Sequence, residues 1–226
     1  MYRGKKYRLL VVDVDGVLTN VYSVWQYIHE RLGTLNKAAK YREQFFRGEI
    51  TYGDWAALEA SLWKGVRISY LQSLLKGIKI RSGAKELVET ARKGGLLTLA
   101  ISAGLGILAR EVGEKLGIDH VIANELVVRN DIITGEVVVN VDFYSKGTIL
   151  RRFADSLGFS MDEVIVIGDG YTDIPMMNLS GFSIGYNPSS IEVCLRANIV
   201  LYHDTLYPIV HLLRSILLTD IIARGT

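Results

Sequence analysis

Two carboxylates follow the first apolar run of the chain. Leu9-Leu10-Val11-Val12 leads directly into Asp13, Val14, Asp15 and Gly16. Open α/β sheets bind their ligands at the carboxyl ends of strands. The chain can leave the strand near Asp13 in a turn that Gly16 permits, which would let the two carboxylates converge. Converging carboxylates repel each other, which indicates a cation, a bound proton or a catalytic role.

Three more polar segments share a position at a predicted strand end or helix start: Ser102-Ala103-Gly104 after 99–101, Asp169 to Asp173 after 164–167, and Lys146 in the first turn of a helix. In one parallel sheet these segments gather at the same edge. Asp13, Asp15 and Asp169 supply the hard oxygen ligands that Mg²⁺ prefers. Ser102, Lys146 and free backbone N–H groups suit phosphate oxygens. The set predicts phosphoryl transfer, in which an aspartate can accept the phosphoryl group.

The elements that position these residues are short strands alternating with helices. Six apolar runs without polar alternation predict strands at 7–13, 96–102, 121–123, 164–168, 182–184 and 199–201. Such runs are typical of parallel strands buried on both faces. We therefore predict an α/β fold with a doubly wound, Rossmann-like parallel sheet. Ser82 and Ser145 are expected to cap the helices that follow them. Two apolar runs around Arg129-Asn130-Asp131 predict a β-hairpin within 125–141.

Residues 20–80 interrupt this alternation. They contain four amphipathic helical patterns, around 21–32, 35–46, 52–63 and 68–75, and no convincing strand. We predict a small helical cap at 20–80, inserted after the first strand of an α/β core formed by 1–19 and 81–226. Most aromatic residues of the insertion are expected to form its own core. Tyr22, which lies nearest the first motif, is expected to line a substrate pocket.

Composition limits the classes of partner. The 226 residues are 49% hydrophobic and 22% charged, with a net charge of +2. This balance allows a sizeable core and gives no electrostatic case for binding nucleic acid or an anionic membrane.

A single cysteine, Cys194, excludes an internal disulfide. Together with an amino terminus too polar for a signal peptide, it favours a cytoplasmic location. The charged apolar stretch 206–223 predicts an amphipathic helix, and the expected state is a monomer or a homodimer.

The four segments resemble, in order and spacing, the four motifs of the haloacid-dehalogenase-like (HAD) phosphatases, from residue 7 to about residue 190. The helical insertion and the hairpin resemble the phosphoserine-phosphatase-like branch. The resemblance implies that Asp13 attacks phosphorus and becomes an aspartyl-phosphate. Asp15 would protonate the leaving oxygen and then activate water. Mg²⁺ would be held by the Asp13 carboxylate, the Asp15 backbone carbonyl and Asp169.

The same resemblance implies roles for the remaining polar residues. Phosphate would contact residues of three segments: Ser102, Ala103, Gly104, Lys146 and Thr172. Thr172 stands where the family commonly has an asparagine, and its hydroxyl can still donate a hydrogen bond. Asp173 would support the metal site or orient Lys146. The implied substrate is a small phosphorylated metabolite.

Two departures from the resemblance concern substrate choice. Phosphoserine phosphatases carry a cap acid shortly after the first motif, whereas residues 20–23 here contain none. They also carry a cap arginine, whereas the similar helix at 54–59 contains none. We therefore expect a substrate other than phosphoserine.

Alternative interpretations stay open at this point. The scaffold could transfer phosphate to an acceptor other than water, or bind a ligand without turnover as a regulatory protein. Ser102 could also cap the helix that follows it. The segment 104–109 fits a dinucleotide-binding pattern, with Glu125 at the position of a ribose-binding acid. That interpretation leaves Asp13, Asp15 and Asp169 without a role.

Overall fold

A seven-stranded sheet forms the centre of the protein. The computed structural model describes the backbone of residues 7–222 and the side chains of residues 7–218. The spatial strand order is β4-β3-β2-β1-β5-β6-β7. The strands are β1 (Leu9–Val12), β2 (Leu97–Leu105), β3 (His120–Arg129), β4 (Ile132–Val138), β5 (Val164–Gly168), β6 (Phe182–Tyr186) and β7 (Ile199–Leu201). All neighbours are parallel except β3 and β4.

Strand β1 lies at the point where the chain changes its direction of winding. Leu9 is paired with Leu97 of β2 on one side and with Val164 of β5 on the other. All four residues of β1 are buried, and alternate side chains enter two different hydrophobic cores. A switch point of this kind opens a crevice at the carboxyl ends of the strands. The predicted doubly wound α/β fold is confirmed.

Helices cover both faces of the sheet. They are α5 (Ala84–Lys93), α6 (Gly106–Leu116), α7 (Lys146–Ser156), α8 (Ile174–Met177), α9 (Ile191–Arg196) and α10 (Tyr207–Ile222). Helix α10 contacts α5 and buries Ile209, Val210 and Leu213 in the core, as expected of a helix packed on it. Among the described residues, no helix combines the length and the hydropathy needed to cross a membrane.

The insertion consists of four helices, α1 (Val24–Leu32), α2 (Leu35–Phe46), α3 (Tyr52–Ser61) and α4 (Ile68–Leu75). Ser23 caps α1 by accepting from the Gln26 N–H, and Thr51 forms a capping box with Asp54 at the start of α3. A stacked pair of tryptophans, Trp25 and Trp63, lies in the interior of the insertion with ring centroids 5.3 Å apart. The division into a core and a cap stays a prediction, and parts of its outer segments (1–6 and 223–226) lie outside the described residues.

The predicted hairpin is formed by β3 and β4. Arg129 is opposite Ile132, and the two turn residues Asn130 and Asp131 have φ values of +49° and +65°, as a tight hairpin turn requires. The Asp131 carboxylate accepts hydrogen bonds from the backbone and hydroxyl groups of Ser69 in α4. The hairpin therefore fastens the helical insertion to the sheet.

Two predicted helix caps are wrong. Gly83, with φ +88°, directly precedes α5, so Ser82 lies too early in the chain to cap it. The left-handed conformation at this position favours glycine and ends the preceding turn. Ser145 does precede α7, but its hydroxyl accepts a hydrogen bond from the Asp142 N–H and none from the helix. Local turn formation thus competes successfully with capping at this position.

Candidate active site

The first motif leaves the sheet in a wide turn. The Asp13 N–H continues the pairing with β5 by donating to the Ile167 carbonyl at 3.0 Å, and the turn closes where the Thr19 N–H donates to the Val14 carbonyl, also at 3.0 Å. Gly16 has φ +80°, and a Cβ atom there would lie 2.3 Å from Asp169 Oδ2. The absent side chain of Gly16 therefore lets the Asp169 carboxylate pack directly on the first motif.

Lys146 joins the first and fourth motifs. Its ammonium group donates to Asp13 Oδ1 at 2.8 Å and to Asp173 Oδ1 at 2.6 Å, and the side chain is fully buried. Burial alone lowers the pKa of Lys146, but the negative charges of Asp13 and Asp173 raise the pKa by more. The lysine is therefore held as a cation at the centre of the site.

Close packing of two helices brings Lys146 to this position. A Cβ atom on Gly147 in α7 would lie 2.7 Å from the Pro175 carbonyl of α8. Glycine therefore allows α7 to approach the fourth motif closely enough for the neighbouring lysine to reach Asp173.

Asp13 keeps one carboxylate oxygen available. Its Oδ1 accepts from Lys146, while no hydrogen bond from the described residues reaches its Oδ2. Burial raises the pKa of Asp13 to about 7, with contributions from the charges of Asp173 and Asp15, although Lys146 lowers the pKa. The free oxygen sits at the carboxyl end of the central strand, where it can act as a nucleophile.

Asp173 supports both the lysine and the fourth-motif loop. Its Oδ2 accepts from the Asp169 N–H at 2.9 Å and from the Gly170 N–H at 3.0 Å. Both carboxylate oxygens of Asp173 are therefore engaged. The Asp169 side chain accepts no hydrogen bond from the described part of the chain, and burial, followed by the charges of Asp13 and Asp173, raises its pKa well above the ordinary value.

These acids fit a divalent cation. Asp13, Asp169 and Asp173 each offer one oxygen atom, and the three atoms lie within 4.8 Å of one another. Together with Asp15, they form a buried group of four carboxylates around the single ammonium group of Lys146. Because Asp173 is already occupied by hydrogen bonds, Asp13 and Asp169 are the better ligands. A buried excess of negative charge on hard oxygen atoms is the donor set that Mg²⁺ prefers.

Asp15 also has one engaged and one unengaged oxygen. Its Oδ2 accepts from the Val24 N–H at 2.7 Å, and its Oδ1 is buried with no hydrogen-bond partner among the described residues. Burial raises the pKa of Asp15 to about 6, while the Val24 N–H and Lys146 lower it. A carboxyl group with a pKa close to neutrality can both donate and accept a proton.

The phosphate-binding segment predicted at Ser102 lies within β2 and not after it. The strand continues to Leu105 with a shift in register after Ile101, and Leu105 directly precedes α6. The alternative role of Ser102 as a helix cap is therefore wrong. Ser102 Oγ accepts from the Gly104 N–H at 3.0 Å, which leaves the serine hydroxyl proton free to donate to a ligand but engages the Gly104 N–H in this structure.

The carbonyl of Ala103 connects this segment to the insertion. It accepts from Asn124 Nδ2 at 2.9 Å, and from Trp25 Nε1 and the Tyr52 hydroxyl at 3.2 Å each. Two of these three donors belong to helices α1 and α3. The insertion is therefore docked directly on the residue that follows Ser102.

A cavity of about 820 Å³ lies between the insertion and the carboxyl ends of the strands. All the predicted site residues except Asp173 line it: Asp13, Asp15, Tyr22, Ser102, Ala103, Gly104, Lys146, Asp169 and Thr172. Tyr22 is 72% exposed and stands at the rim. The sequence analysis missed further polar residues of the wall, which the insertion supplies: His29, Arg42, Glu43, Arg47 and Glu59.

The glycines of the dinucleotide-like pattern have a structural use. A Cβ atom on Gly106 would lie 2.2 Å from Glu125 Oε1, so glycine makes room for that side chain. The Glu125 carboxylate is paired with the Arg110 guanidinium. The acid at the position of a ribose-binding carboxylate in this alternative is thus already paired with an arginine.

Comparisons with known proteins agree with a site for phosphoryl transfer. The model of the haloacid dehalogenase-like hydrolase family matches residues 10–178. A phosphoserine phosphatase of Lactococcus lactis is 32% identical over 181 residues, which cover 79% of this chain and 82% of that protein. A phosphoserine phosphatase of Archaeoglobus fulgidus is 29% identical over 83% of this chain, and the match spans 55% of its length. The chain belongs to the haloacid dehalogenase-like hydrolase family.

A solved structure places the chain more narrowly within the family. The structure described as a phospho-aspartyl intermediate analogue of phosphoserine phosphatase superposes with a TM-score of 0.79 and 27% identity, covering 92% of this chain and 99% of that one. The predicted membership of the phosphoserine-phosphatase-like branch of HAD hydrolases is confirmed.

Proposed function

We propose that the protein is a Mg²⁺-dependent phosphatase that hydrolyses a small phosphate monoester through a phosphorylated Asp13. The arrangement of Asp13 carries this proposal, because Lys146 holds one of its oxygens and leaves the other free. The similarity to the phospho-aspartyl analogue of phosphoserine phosphatase supports it. The proposed partner is a small phosphorylated metabolite in the cytoplasm, with no part for nucleic acid or membrane.

In the first step, the free oxygen of Asp13 attacks phosphorus while the bond from phosphorus to the ester oxygen breaks. Asp15 donates its proton to the departing oxygen, since burial raises its pKa to about 6, while the positive charge of a bound Mg²⁺ would lower the pKa of Asp13 and keep the nucleophile ionised. Ser102 and Lys146 bind phosphate oxygens by hydrogen bonds and charge. The product alcohol leaves, and phosphate remains on Asp13.

In the second step, a water molecule attacks the phosphorus of the phosphorylated Asp13. Asp15, now ionised, takes a proton from that water, and the bond between phosphorus and the Asp13 oxygen breaks. The reaction returns both aspartates to their initial protonation states. Docking of the insertion through the Ala103 carbonyl places its helices beside the reacting groups, where we expect them to reduce access of bulk water.

Asp13 and Asp169 would hold the Mg²⁺ ion, with Asp173 fixing the loop behind them. The ion supplies positive charge that neutralises the phosphoryl oxygens and relieves the repulsion between the buried carboxylates. Lys146 cannot supply this neutralisation alone, because it is already shared between Asp13 and Asp173.

The direct experiment measures phosphate release from an aryl phosphate with Mg²⁺. We expect turnover that stops with a chelator and in the Asp13→Asn variant. Asp155→Asn, at an exposed position on α7, serves as the matched control and should retain activity. Release of phosphate equal to the ester consumed indicates hydrolysis, whereas an acceptor-dependent shortfall indicates transfer. Turnover by Asp13→Asn at the wild-type rate contradicts the proposal.

A further inference from the structure

Glu59 places a buried carboxylate in the part of the cavity formed by the insertion. The residue lies on α3, is only 6% exposed and lines the same cavity as Asp13 and Asp15. Its Oε1 accepts from Trp55 Nε1 at 2.9 Å, while its Oε2 accepts no hydrogen bond from the described residues. It forms no ion pair with a described lysine or arginine, and its nearest basic atom is His29 Nε2 at 3.8 Å.

The neighbouring histidine makes no hydrogen bond with this carboxylate. Its Nδ1 lies 2.7 Å from the Thr34 hydroxyl and 3.1 Å from Trp63 Nε1. Its Nε2 stays 3.8 Å from Glu59 Oε2. Nε2 is buried without a hydrogen-bond partner in the described part of the chain. A buried carboxylate without a balancing cation is unfavourable unless a ligand supplies the charge.

The wall around Glu59 is aromatic. Trp25, Tyr52 and Trp55 all line the cavity, and Tyr52 and Trp55 meet edge to face with centroids 5.7 Å apart. The π-faces of such rings attract cations, and methylated ammonium groups in particular are bound by aromatic cages. Both features of the wall, the carboxylate and the rings, favour a positively charged ligand group.

Among the described residues that the insertion contributes to the cavity wall, no lysine or arginine is buried beside Glu59. The two arginines of the insertion that line the cavity, Arg42 and Arg47, are exposed at its rim. Arg47 lies 3.8 Å from Glu43 and 3.9 Å from Glu49, so its charge is already shared. A ligand carboxylate placed deep in the cavity would face Glu59 without compensation.

We propose that Glu59 and the surrounding rings bind a cationic amine in the leaving group of the substrate. The substrate class is then the phosphate monoesters of alkylammonium alcohols without a carboxylate. This inference rests on the proposed phosphatase function, because it places the phosphate at Asp13 and the ammonium group at Glu59. Glu59 acts as a specificity residue and takes no part in the transfer of the phosphoryl group.

The test compares phosphocholine with its uncharged isostere, in which carbon replaces the quaternary nitrogen. We expect the wild-type enzyme to favour phosphocholine by about tenfold or more in kcat/KM, the size of effect expected when aromatic faces hold a desolvated cation. Phosphoserine, whose carboxylate meets Glu59, should be used less well than phosphocholine. An uncharged isostere that is used equally well or better overturns the inference.

Two variants test whether Glu59 contributes to the preference for phosphocholine over its uncharged isostere. Glu59→Gln should reduce the ratio of the kcat/KM value for phosphocholine to that for the isostere severalfold, and the part contributed by the aromatic rings should remain. Glu49→Gln removes the same charge from an exposed site of the insertion outside the cavity wall, and it should preserve the wild-type ratio. An unchanged ratio in folded Glu59→Gln overturns the assignment.

A binding measurement keeps the inference testable without the variant and without turnover. Choline added to the wild-type protein should change the tryptophan fluorescence saturably, because Trp55 borders the proposed site, and the uncharged alcohol should not. Saturable choline binding in a protein that hydrolyses no ester supports the amine site while contradicting the phosphatase function. Turnover of an aryl phosphate with neither choline binding nor a preference for phosphocholine supports the phosphatase function and contradicts the amine site.

Discussion

The Lys146 ammonium lies 2.8 Å from Asp13 Oδ1, although the two residues are 133 positions apart in the chain. This contact fixes the rotation of the Asp13 carboxylate and leaves its second oxygen free. It also offsets part of the effect by which burial raises the pKa of Asp13. One buried lysine thus orients the proposed nucleophile and favours its ionised form.

Replacing Lys146 tests this double role. Lys146→Met keeps an unbranched side chain that is one atom shorter, and it removes the charge and the hydrogen bonds. We expect kcat/KM for an aryl phosphate to fall by about a hundredfold or more, as is usual when a charge-stabilising donor is removed from an active site. Lys115→Met, which removes an exposed lysine on α6, should leave the rate within twofold of wild type, about the scatter of a surface substitution. A mild effect of Lys146→Met on a folded enzyme contradicts the assignment.

The raised pKa of Asp13 predicts how stability changes with pH in the absence of metal. Folding raises this pKa from 3.8 to about 7, first because of burial. The folded state then holds its proton at a pH where the unfolded state has lost it. Stability contributed by Asp13 is therefore lost as pH rises from 3.8 to about 7. Asparagine at position 13 cannot ionise and avoids this loss.

Urea unfolding with a chelator between pH 4 and pH 7 measures the difference between Asp13→Asn and wild type. We expect the variant to gain stability relative to wild type as the pH rises, and Mg²⁺ to reverse the trend by stabilising the wild type. A relative stability that is constant, or that moves in the other direction, is inconsistent with the buried acidic site described above.

Gly16 should tolerate no side chain. Alanine there would adopt an unfavourable φ of +80° and place its Cβ atom 2.3 Å from Asp169 Oδ2. We expect Gly16→Ala to lose stability by about 1–2 kcal/mol from backbone strain, and in addition to lose most activity because Asp169 is displaced. Gly158→Ala is the control, since Gly158 has φ +66° with open space around its Cβ position. A Gly16→Ala enzyme with wild-type activity would show that the position of Asp169 is unimportant.

Asn124 should be a structural support of the site. Its fully buried side chain donates to the carbonyls of Ala103 and Val141 and accepts from the N–H groups of Asn140 and Val141. Asn124→Ala would leave several buried backbone groups unpaired, and we expect it to cost about 2–4 kcal/mol of unfolding free energy. Denaturant unfolding measures this loss, and Asn178→Ala, at an exposed position, is the control variant. A loss no larger than that of the comparison variant would contradict the role.

The arrangement of the catalytic segments could be predicted because strand ends are encoded locally. Short, fully apolar runs such as 164–167 identify strands that are buried on both faces, and parallel strands must place their carboxyl ends together. That logic alone brings Asp13, Asp169 and Ser102 to one edge. The exact end of β2 was missed, because the strand continues through Ser102 with an irregular register that no local pattern indicates.

The wall supplied by the insertion was harder to predict, because the face that a helix buries there depends on how several helices pack. The sequence nevertheless contains a pattern that indicates Glu59 as part of the wall. Ala56, Glu59, Ala60 and Trp63 follow the spacing of one helical stripe, and the three apolar members are buried in the core. A charged residue on such a stripe indicates a functional group. Glu59 falls within 54–59, where the family resemblance led us to expect an arginine, and its own charge was therefore not predicted to belong to the site.

A rapid acid quench during turnover of a ³²P-labelled phosphate ester in the presence of Mg²⁺, followed by peptide mapping, tests whether Asp13 carries the phosphoryl group. We expect a covalent, acid-stable label on Asp13 that appears before free phosphate and is absent from the Asp13→Asn variant. Continuous hydrolysis with the label on another residue, or undiminished hydrolysis by the Asp13→Asn variant, would contradict that role of Asp13.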